Sequence, residues 1–405
     1  MHGTGKRSTA IVVAIAAVVA MAACGKSSKT SSTTASNSSS SSPPVSISPA
    51  SFTVDFSAMA QLKPLVSSGK GLIGVLLPDT TTSARYESFD RPYLTKAFQA
   101  AGLTNAQFKV DNAQGSASTM QTQAEADITN GATVLLIDPL DAGSGAAIEA
   151  SAKSKGVAVI DYDRLVKGGA AGRNYVSFDS VGVGKLIGQG EVDCIAAWKV
   201  KKPSILIMNG DPTDNNALLF AQGYNGVLKP LFDKGTYVKV GEPAGTWTPS
   251  VAATTFDQQY TAHPNINAVV TPNDDNANAV ISDLKKLHIP AKTFPTTGQD
   301  ASLSGLQNIL KGYQCGTVYK PIYVEAQAAA VIAIYLRAGQ KAPSSLVNTT
   351  TKDSTANTDV PSVLLTPVWV TTANMAATVV KDAAVKVSEL CVSAVASACT
   401  AAGIK

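Results

Sequence analysis

Residues 133–164 read TVLLIDPLDAGSGAAIEASAKSKGVAVIDYDR: an apolar run closed by Asp138, a helical stretch, and a second apolar run closed by Asp161-Tyr162-Asp163-Arg164. The same alternation extends in both directions. Short β-rich runs at residues 72–77, 108–112, 133–138, 157–161 and 175–178 are separated by amphipathic helical stretches, and nearly every run ends in Asp, Asn or Gly. A second series follows at 204–208, 238–241, 268–271, 294–297, 317–319 and 363–370. Repeated βα units build a mostly parallel sheet. Ten or eleven parallel strands are more than one open sheet comfortably holds, so the pattern predicts an α/β protein of two doubly wound parallel-sheet lobes with a cleft between them.

In open α/β sheets, ligands sit beyond the carboxyl ends of the strands. The residues expected there are Asp161-Tyr162-Asp163-Arg164, Asn209-Gly210-Asp211, Asn273-Asp274-Asp275, Gly298-Gln299-Asp300 and Tyr319-Lys320-Pro321. All five segments carry planar or charged hydrogen-bonding groups. A sugar hydroxyl donates and accepts at once, so carboxylates, amides, Arg and Lys satisfy it, while an aromatic ring covers the apolar C–H face. Any one of these Asp or Asn residues is equally explained as a cap for the following helix. Five such ends together point to a polar ligand.

The chain begins with basic residues at 2–7, an apolar stretch at 10–23 and Met21-Ala22-Ala23-Cys24. The apolar stretch is shorter than the roughly 20 residues a membrane-spanning helix needs, and it reads as a secretory signal over 1–23. A cysteine directly after two alanines resembles the bacterial lipobox, which predicts a lipid on Cys24 and an extracytoplasmic lipoprotein held at the cell membrane. An ordinary cleaved signal ending near a cysteine is the alternative. Residues 24–70 then read as lipid anchor and flexible tether, because the Ser, Thr, Ala and Asn tract up to Ser42 and the closing Pro43-Pro44 can bury little.

Formal charge is only +4 and no Lys/Arg block is present, which argues against a nucleic-acid partner. Of five cysteines, Cys24 is assigned to lipid, leaving Cys194, Cys315, Cys391 and Cys399 for disulfides or buried thiols. None has zinc-knuckle or redox-pair spacing, and neither a metal nor a cofactor is expected.

From residue 72 to about 390 the chain resembles the D-xylose-binding members of the ribose/galactose-type periplasmic sugar-binding proteins, which serve ABC importers and have the type I periplasmic binding protein fold. The resemblance is carried by Asp161-Tyr162-Asp163-Arg164, Tyr175-Val176-Ser177-Phe178-Asp179, Asp214-Asn215-Asn216-Ala217, Gly298-Gln299-Asp300-Ala301, Thr317-Val318-Tyr319-Lys320-Pro321-Ile322, Val360-Pro361-Ser362 and Leu364-Leu365-Thr366-Pro367, in matching order. It implies a monosaccharide ligand, D-xylose or another small sugar, ABC permease subunits as partners, and a monomer. It places Arg85, Tyr86, Asp163 and Arg164 from one lobe, and Asn215, Asn216, Trp247, Asn273, Asp300 and Lys320, around the sugar, with Tyr86 and Trp247 against its apolar faces. Tyr86 stands where the family usually has Trp, and Ser180 where it has Asn.

The resemblance also implies a three-strand hinge, with crossings near 176–178, 315–318 and 364–367. The expected lobes are therefore 71–176 plus 317–365, and 177–316 plus 366–390, followed by a C-terminal tail at 391–405. Disulfides are expected between Cys194 and Cys315, which the resemblance puts in one lobe, and between Cys391 and Cys399.

Other chemistries fit less well. Gly182-Val183-Gly184 with Gly188 approaches a dinucleotide fingerprint, but the spacing is too wide. His263 and His288 fall near predicted helix ends with no nucleophile beside them, and residues 211–215 lack the turn glycine and terminal Glu of a calcium loop. A receptor that reports its ligand to a membrane sensor remains an alternative to transport.

Overall fold

The computed structural model describes residues 47–80 and 82–405. The expected signal at 1–23, the lipid site Cys24 and the tether up to residue 46 lie outside the described residues. No helix among those described is long and apolar enough to cross a membrane.

The strands are β1 (Leu72–Leu77), β2 (Phe108–Asn112), β3 (Ala132–Ile137), β4 (Ala158–Tyr162), β5 (Asn174–Phe178), β6 (Ser204–Ile207), β7 (Val238–Gly241), β8 (Ala268–Val270), β9 (Thr317–Tyr319), β10 (Thr349–Asp353), β11 (Thr358–Leu365) and β12 (Val368–Val370). The first sheet has the order β10-β11-β5-β4-β3-β1-β2, parallel throughout except that β10 runs antiparallel to β11. The second has the order β7-β6-β8, and single parallel bridges from Val269 to Thr296 and from Gln299 to Val318 carry it on to the antiparallel pair β9-β12. In both lobes the first strand therefore pairs with the second and third. That leaves a switch point at the carboxyl end of β1 in one sheet and of β6 in the other, and the two ends supply the walls of the cleft.

Strands covered on both faces need continuous apolar sequence, and Ile73, Leu76, Val134, Leu135, Leu136 and Ile160 are fully buried. In the first lobe one face is covered by helix α1 (Ile322–Arg337), whose run from Ala328 to Ile334 is almost inaccessible, and the other, with Leu76 and Leu135, by the helices Ala117–Thr129 and Ala142–Ser154. In the second lobe Ser180–Ala197 and Asn215–Asp233 form a tightly packed helix pair. Gly184 and Gly188 lie in that contact, where a Cβ would run into Phe220 and Tyr224. Two of the three near-fingerprint glycines thus serve helix packing, while Gly182 lies against the capping side chain of Asp179.

Several sequence expectations need correction. The tether does not extend to residue 70: Ile47, Phe52, Phe56, Met59 and Leu62 are buried in the first-lobe core, and Gln327 and Arg337 of α1 donate to the carbonyls of Thr53 and Val66 at 3.1 Å each. Residues 391–405 are no tail, since Val395, Cys399 and Ile404 pack on Leu306 and Ile309 of the second lobe. Residues 317–319 belong to the second sheet, so the chain crosses at Lys320-Pro321, after β9. The run 363–370 is two strands in different sheets, broken at Thr366-Pro367, where proline removes a donor. Residues 294–297 make a single bridge, and β10 was not foreseen. The disulfides are Cys194–Cys315 and Cys391–Cys399.

Candidate functional site

The loop after β1 places Arg85 beneath the cleft. Its guanidinium grips Asp90 through Nε and Nη2 at 2.9 and 2.7 Å, and also donates to Asp163 at 2.8 Å and Glu325 at 3.0 Å. All four residues are buried. Three carboxylates already occupy Arg85, so its principal structural effect is to orient Asp163. Burial pushes the Asp90 and Glu325 carboxyls upward against the pull of Arg85.

Asp163 directly follows β4 in a left-handed backbone conformation with φ +58°, uncommon for a residue with a side chain. What holds it is a set of bonds to its carbonyl, from Ser177 Oγ at 2.7 Å, Asn216 Nδ2 at 2.9 Å and the Tyr175 hydroxyl at 3.2 Å. The carboxylate faces Arg85, the Tyr86 hydroxyl at 3.3 Å and Lys320 Nζ at 3.8 Å. Burial raises its pKa, but Arg85, Lys320 and Arg164 outweigh burial and hold it at about 2.

Arg164 donates to the Tyr86 hydroxyl at 2.9 Å and to the Pro139 carbonyl at 3.1 Å, and its Nε pairs with Asp214 at 3.2 Å and Asp138 at 3.4 Å. The Tyr86 ring has the guanidinium carbons of Arg85 and Arg164 at 5.3 and 5.7 Å from its centroid. Its hydroxyl is tied into the polar network by the same residues that the sequence places around it.

From the second lobe, Asp214 caps the helix Asn215–Asp233 by accepting from Asn216 N at 2.8 Å, and accepts from Trp247 Nε1 at 3.0 Å. The Trp247 ring lies against Gly210, where a Cβ would collide with it. Asn273 caps Asp274–Lys286 through its Oδ1, which leaves the amide nitrogen as the group it can offer a ligand. Asp300 has φ +90° and Ala301 φ +48°. This turn is fastened by Asp300 N to Val318 O at 2.9 Å and by Ser302 N to Asp274 Oδ2 at 2.7 Å. Lys320, in the crossing between lobes, reaches Asp300 at 3.2 Å.

These groups enclose a cavity of about 20 Å³ lined by Ser83, Arg85, Tyr86, Asp163, Arg164, Asn216, Phe220, Trp247, Asn273, Gln299, Asp300 and Lys320. That is room for about one water, so a larger ligand is admitted only as the lobes part. Nine of the ten residues expected at the site line the cavity. Asn215 does not, because the helix that starts there turns Asn216 inward instead. Ser83, Phe220 and Gln299 were missed. Phe220 lies one helical turn after Asn216, a spacing that shares a face. Gln299 stands beside Asp300 in a segment already singled out, and its buried Oε1 has no hydrogen-bond partner among the described residues. Nor do the described residues group three His, Cys, Asp or Glu side chains suited to a metal ion.

Residues 73–341 match the family model described as periplasmic binding protein domain. The D-xylose-binding periplasmic protein of Escherichia coli K12 is 37% identical over 306 residues, covering 74% of this chain and 87% of its own. The multiple sugar-binding periplasmic receptor ChvE of Rhizobium radiobacter is 32% identical over 342 residues, covering 81% and 94%. Among solved structures, an ABC transporter solute-binding protein of Clostridium phytofermentans with bound β-D-glucose superimposes with a TM-score of 0.70 at 28% identity, covering 79% of this chain and 99% of its own.

Proposed function

The chain belongs to the periplasmic binding protein domain family, and from that premise we propose that it is an extracytoplasmic lipoprotein that captures a monosaccharide, D-xylose or another small sugar, between its lobes and delivers it to an ABC importer. Its relatives are sugar-binding transport receptors, not enzymes, and the chain is a receptor of the same kind.

The observation that carries the reading is the convergence of Asp163 and Asp300, one from each lobe, on Lys320. A sugar hydroxyl between them can donate to a carboxylate and accept from the ammonium, so one ligand bonds both lobes and draws them together. Arg164, Asn216, Asn273 and Gln299 supply further donors and acceptors, and Trp247 an aromatic face. Closure over the sugar brings the outer faces of both lobes into a fixed relation that permease subunits can recognise.

A thermal-shift screen of the protein against pentoses and hexoses tests this. A sugar at a hundred times its Kd stabilises the folded state by about 2.7 kcal/mol. The expected result is a rise in Tm with D-xylose or a related aldose, confirmed by calorimetric titration at one site per chain. A flat response to the whole panel would defeat the sugar reading.

A further inference from the structure

Next to the small cavity lies a groove of about 660 Å³, open to solvent and within the roughly 300–1,000 Å³ of small-molecule sites. Arg85 and Asp300 line both spaces. Arg85 belongs to the first lobe and Asp300 to the second, so the wall between cavity and groove is a seam between lobes, and it opens when the cleft does.

The groove has the composition of a carbohydrate site. Its first-lobe side carries Phe89 and Tyr93, half-buried rings stacked at 6.3 Å between centroids and 24° between planes. Tyr93 is backed edge-on by Tyr323 at 6.5 Å, which fixes the platform. Facing it from the second lobe are Asp275, Ser304 and Gln307. An aromatic face opposite hydroxyl, amide and carboxylate groups suits a pyranose, whose C–H face packs on the ring while its hydroxyls reach the polar wall. Charge narrows the class. Arg85 is already neutralised by three carboxylates, Lys386 pairs with Glu389 at 2.7 Å and Asp300 with Lys320 at 3.2 Å, so Asp275, which has no ion-pair partner among the described residues, leaves the groove acidic. A neutral sugar unit fits; a uronic acid is repelled.

The lobes already touch at this mouth, where Ala84 N donates to Asp275 Oδ2 at 3.1 Å, yet the groove persists beside that contact. We propose that it is a second sugar subsite, and that the receptor takes neutral disaccharides or glycosides whose first unit fills the cavity and whose second lies over Phe89 and Tyr93. This rests on the sugar reading above and extends its substrate class.

The test is calorimetric titration of the protein with D-xylose, D-glucose and their β-1,4-linked dimers, xylobiose and cellobiose. The dimer of the better monosaccharide is expected to bind within tenfold of it or tighter. Phe89→Ala should weaken that dimer about tenfold and leave the monosaccharide within twofold. Ser304→Trp, which fills the groove from the exposed side of the other lobe, should do the same without touching the first-lobe core, so a folding defect at Phe89 cannot hide the result. If a monosaccharide binds and neither dimer does, or if both variants leave the dimer's affinity unchanged, the second subsite is overturned while the sugar reading stands. Silence from all four sugars would overturn the second subsite, and the sugar reading would fall with it only if the full panel of pentoses and hexoses were silent as well.

Discussion

Arg164 of the first lobe and Asp214 of the second meet at 3.2 Å, Nε to Oδ2, with both side chains nearly inaccessible. The pair spans the cleft, so it exists only where the lobes are together. In an opened form both charges regain water. Breaking a buried pair by deleting one partner costs about 3–5 kcal/mol, and here the cost of the lost pair falls on closure, beside about 0.5–2 kcal/mol of folding stability for the lost helix cap. Arg164 keeps the Tyr86 hydroxyl, Pro139 and Asp138, which softens the loss. Asp214→Ala is expected to reduce sugar affinity on the order of tenfold or more and to enlarge the radius of gyration of the ligand-free protein. Calorimetry and small-angle scattering read the two effects; unchanged affinity would remove the pair from the closing mechanism.

Asp300→Ala and Asp163→Asn separate two kinds of contribution. Asp300 forms an ion pair with Lys320 and faces the cavity from a turn held by its backbone, so its side chain can go without loss of the fold. Hydrogen bonds to charged groups contribute roughly 1.5–3 kcal/mol, and affinity should fall about tenfold to a hundredfold. Asp163 also anchors Arg85, so Asp163→Asn is expected to lower both affinity and Tm. Trp247→Ala should weaken binding with little change of preference among epimers. Parent-like titrations for all three variants would mean that the sugar sits elsewhere.

The disulfides differ in what they constrain. Cys194–Cys315 closes a loop of 121 residues and Cys391–Cys399 one of 8, for which the chain-entropy relation gives about 5 and about 2.5 kcal/mol. Paired Cys→Ala substitution of the first should therefore cost more stability in urea titrations than that of the second. The reverse order would show that native-state packing, not loop closure, sets their value.

With the lipid proposed on Cys24, Cys24→Ala is expected to move the protein from the membrane to the soluble fraction with sugar affinity intact, because every residue lining the cavity lies at position 83 or beyond. Fractionation followed by titration checks it. Lost binding in the soluble variant would contradict a purely anchoring role.

How far the sequence could be read follows from where burial writes itself into composition. Central strands such as β1 and β3 are covered on both faces and read as continuous apolar runs. The antiparallel edge strand β10, Thr-Thr-Thr-Lys-Asp, has one buried residue, Asp353, and carries no such mark. Phe56, Met59 and Leu62 pack into the first-lobe core three residues apart, along the short 3-10 helix Ser57–Leu62, a period that neither the α-helical nor the strand pattern picks out, and the polar tract before them masks the transition. Cleft residues at strand ends were legible because topology assigns them a place. Phe220 was not, since a helix-borne residue one turn beyond a cap looks like any core aromatic until the two helices are seen packed.

Asp274 offers a pH test that isolates one group. Its carboxylate accepts from Gln314 Nε2 and Ser302 N, each at 2.7 Å, and sits so close to Gly298 and Gly305 that a Cβ at either would strike it. Burial, aided by the neighbouring Asp300 charge and opposed by those hydrogen bonds, lifts its pKa from 3.8 to about 7. In the unfolded chain the group returns to its ordinary value, so between pH 4 and 7 the folded protein holds more of this proton than the unfolded one. Stability from this group therefore falls as pH rises through that window and is lowest above it. Asp163 has the opposite sign: its depressed pKa contributes stability above 3.8 that disappears as pH falls toward 2. Other raised carboxyls, including Asp127 at about 6, titrate in part of the same window, so the variant has to be compared with the parent. Asp274→Asn keeps the shape and cannot ionise. The difference in Tm between variant and parent should shift in the variant's favour from pH 5 to pH 8. A difference that stays constant over that range would show that Asp274 does not titrate there.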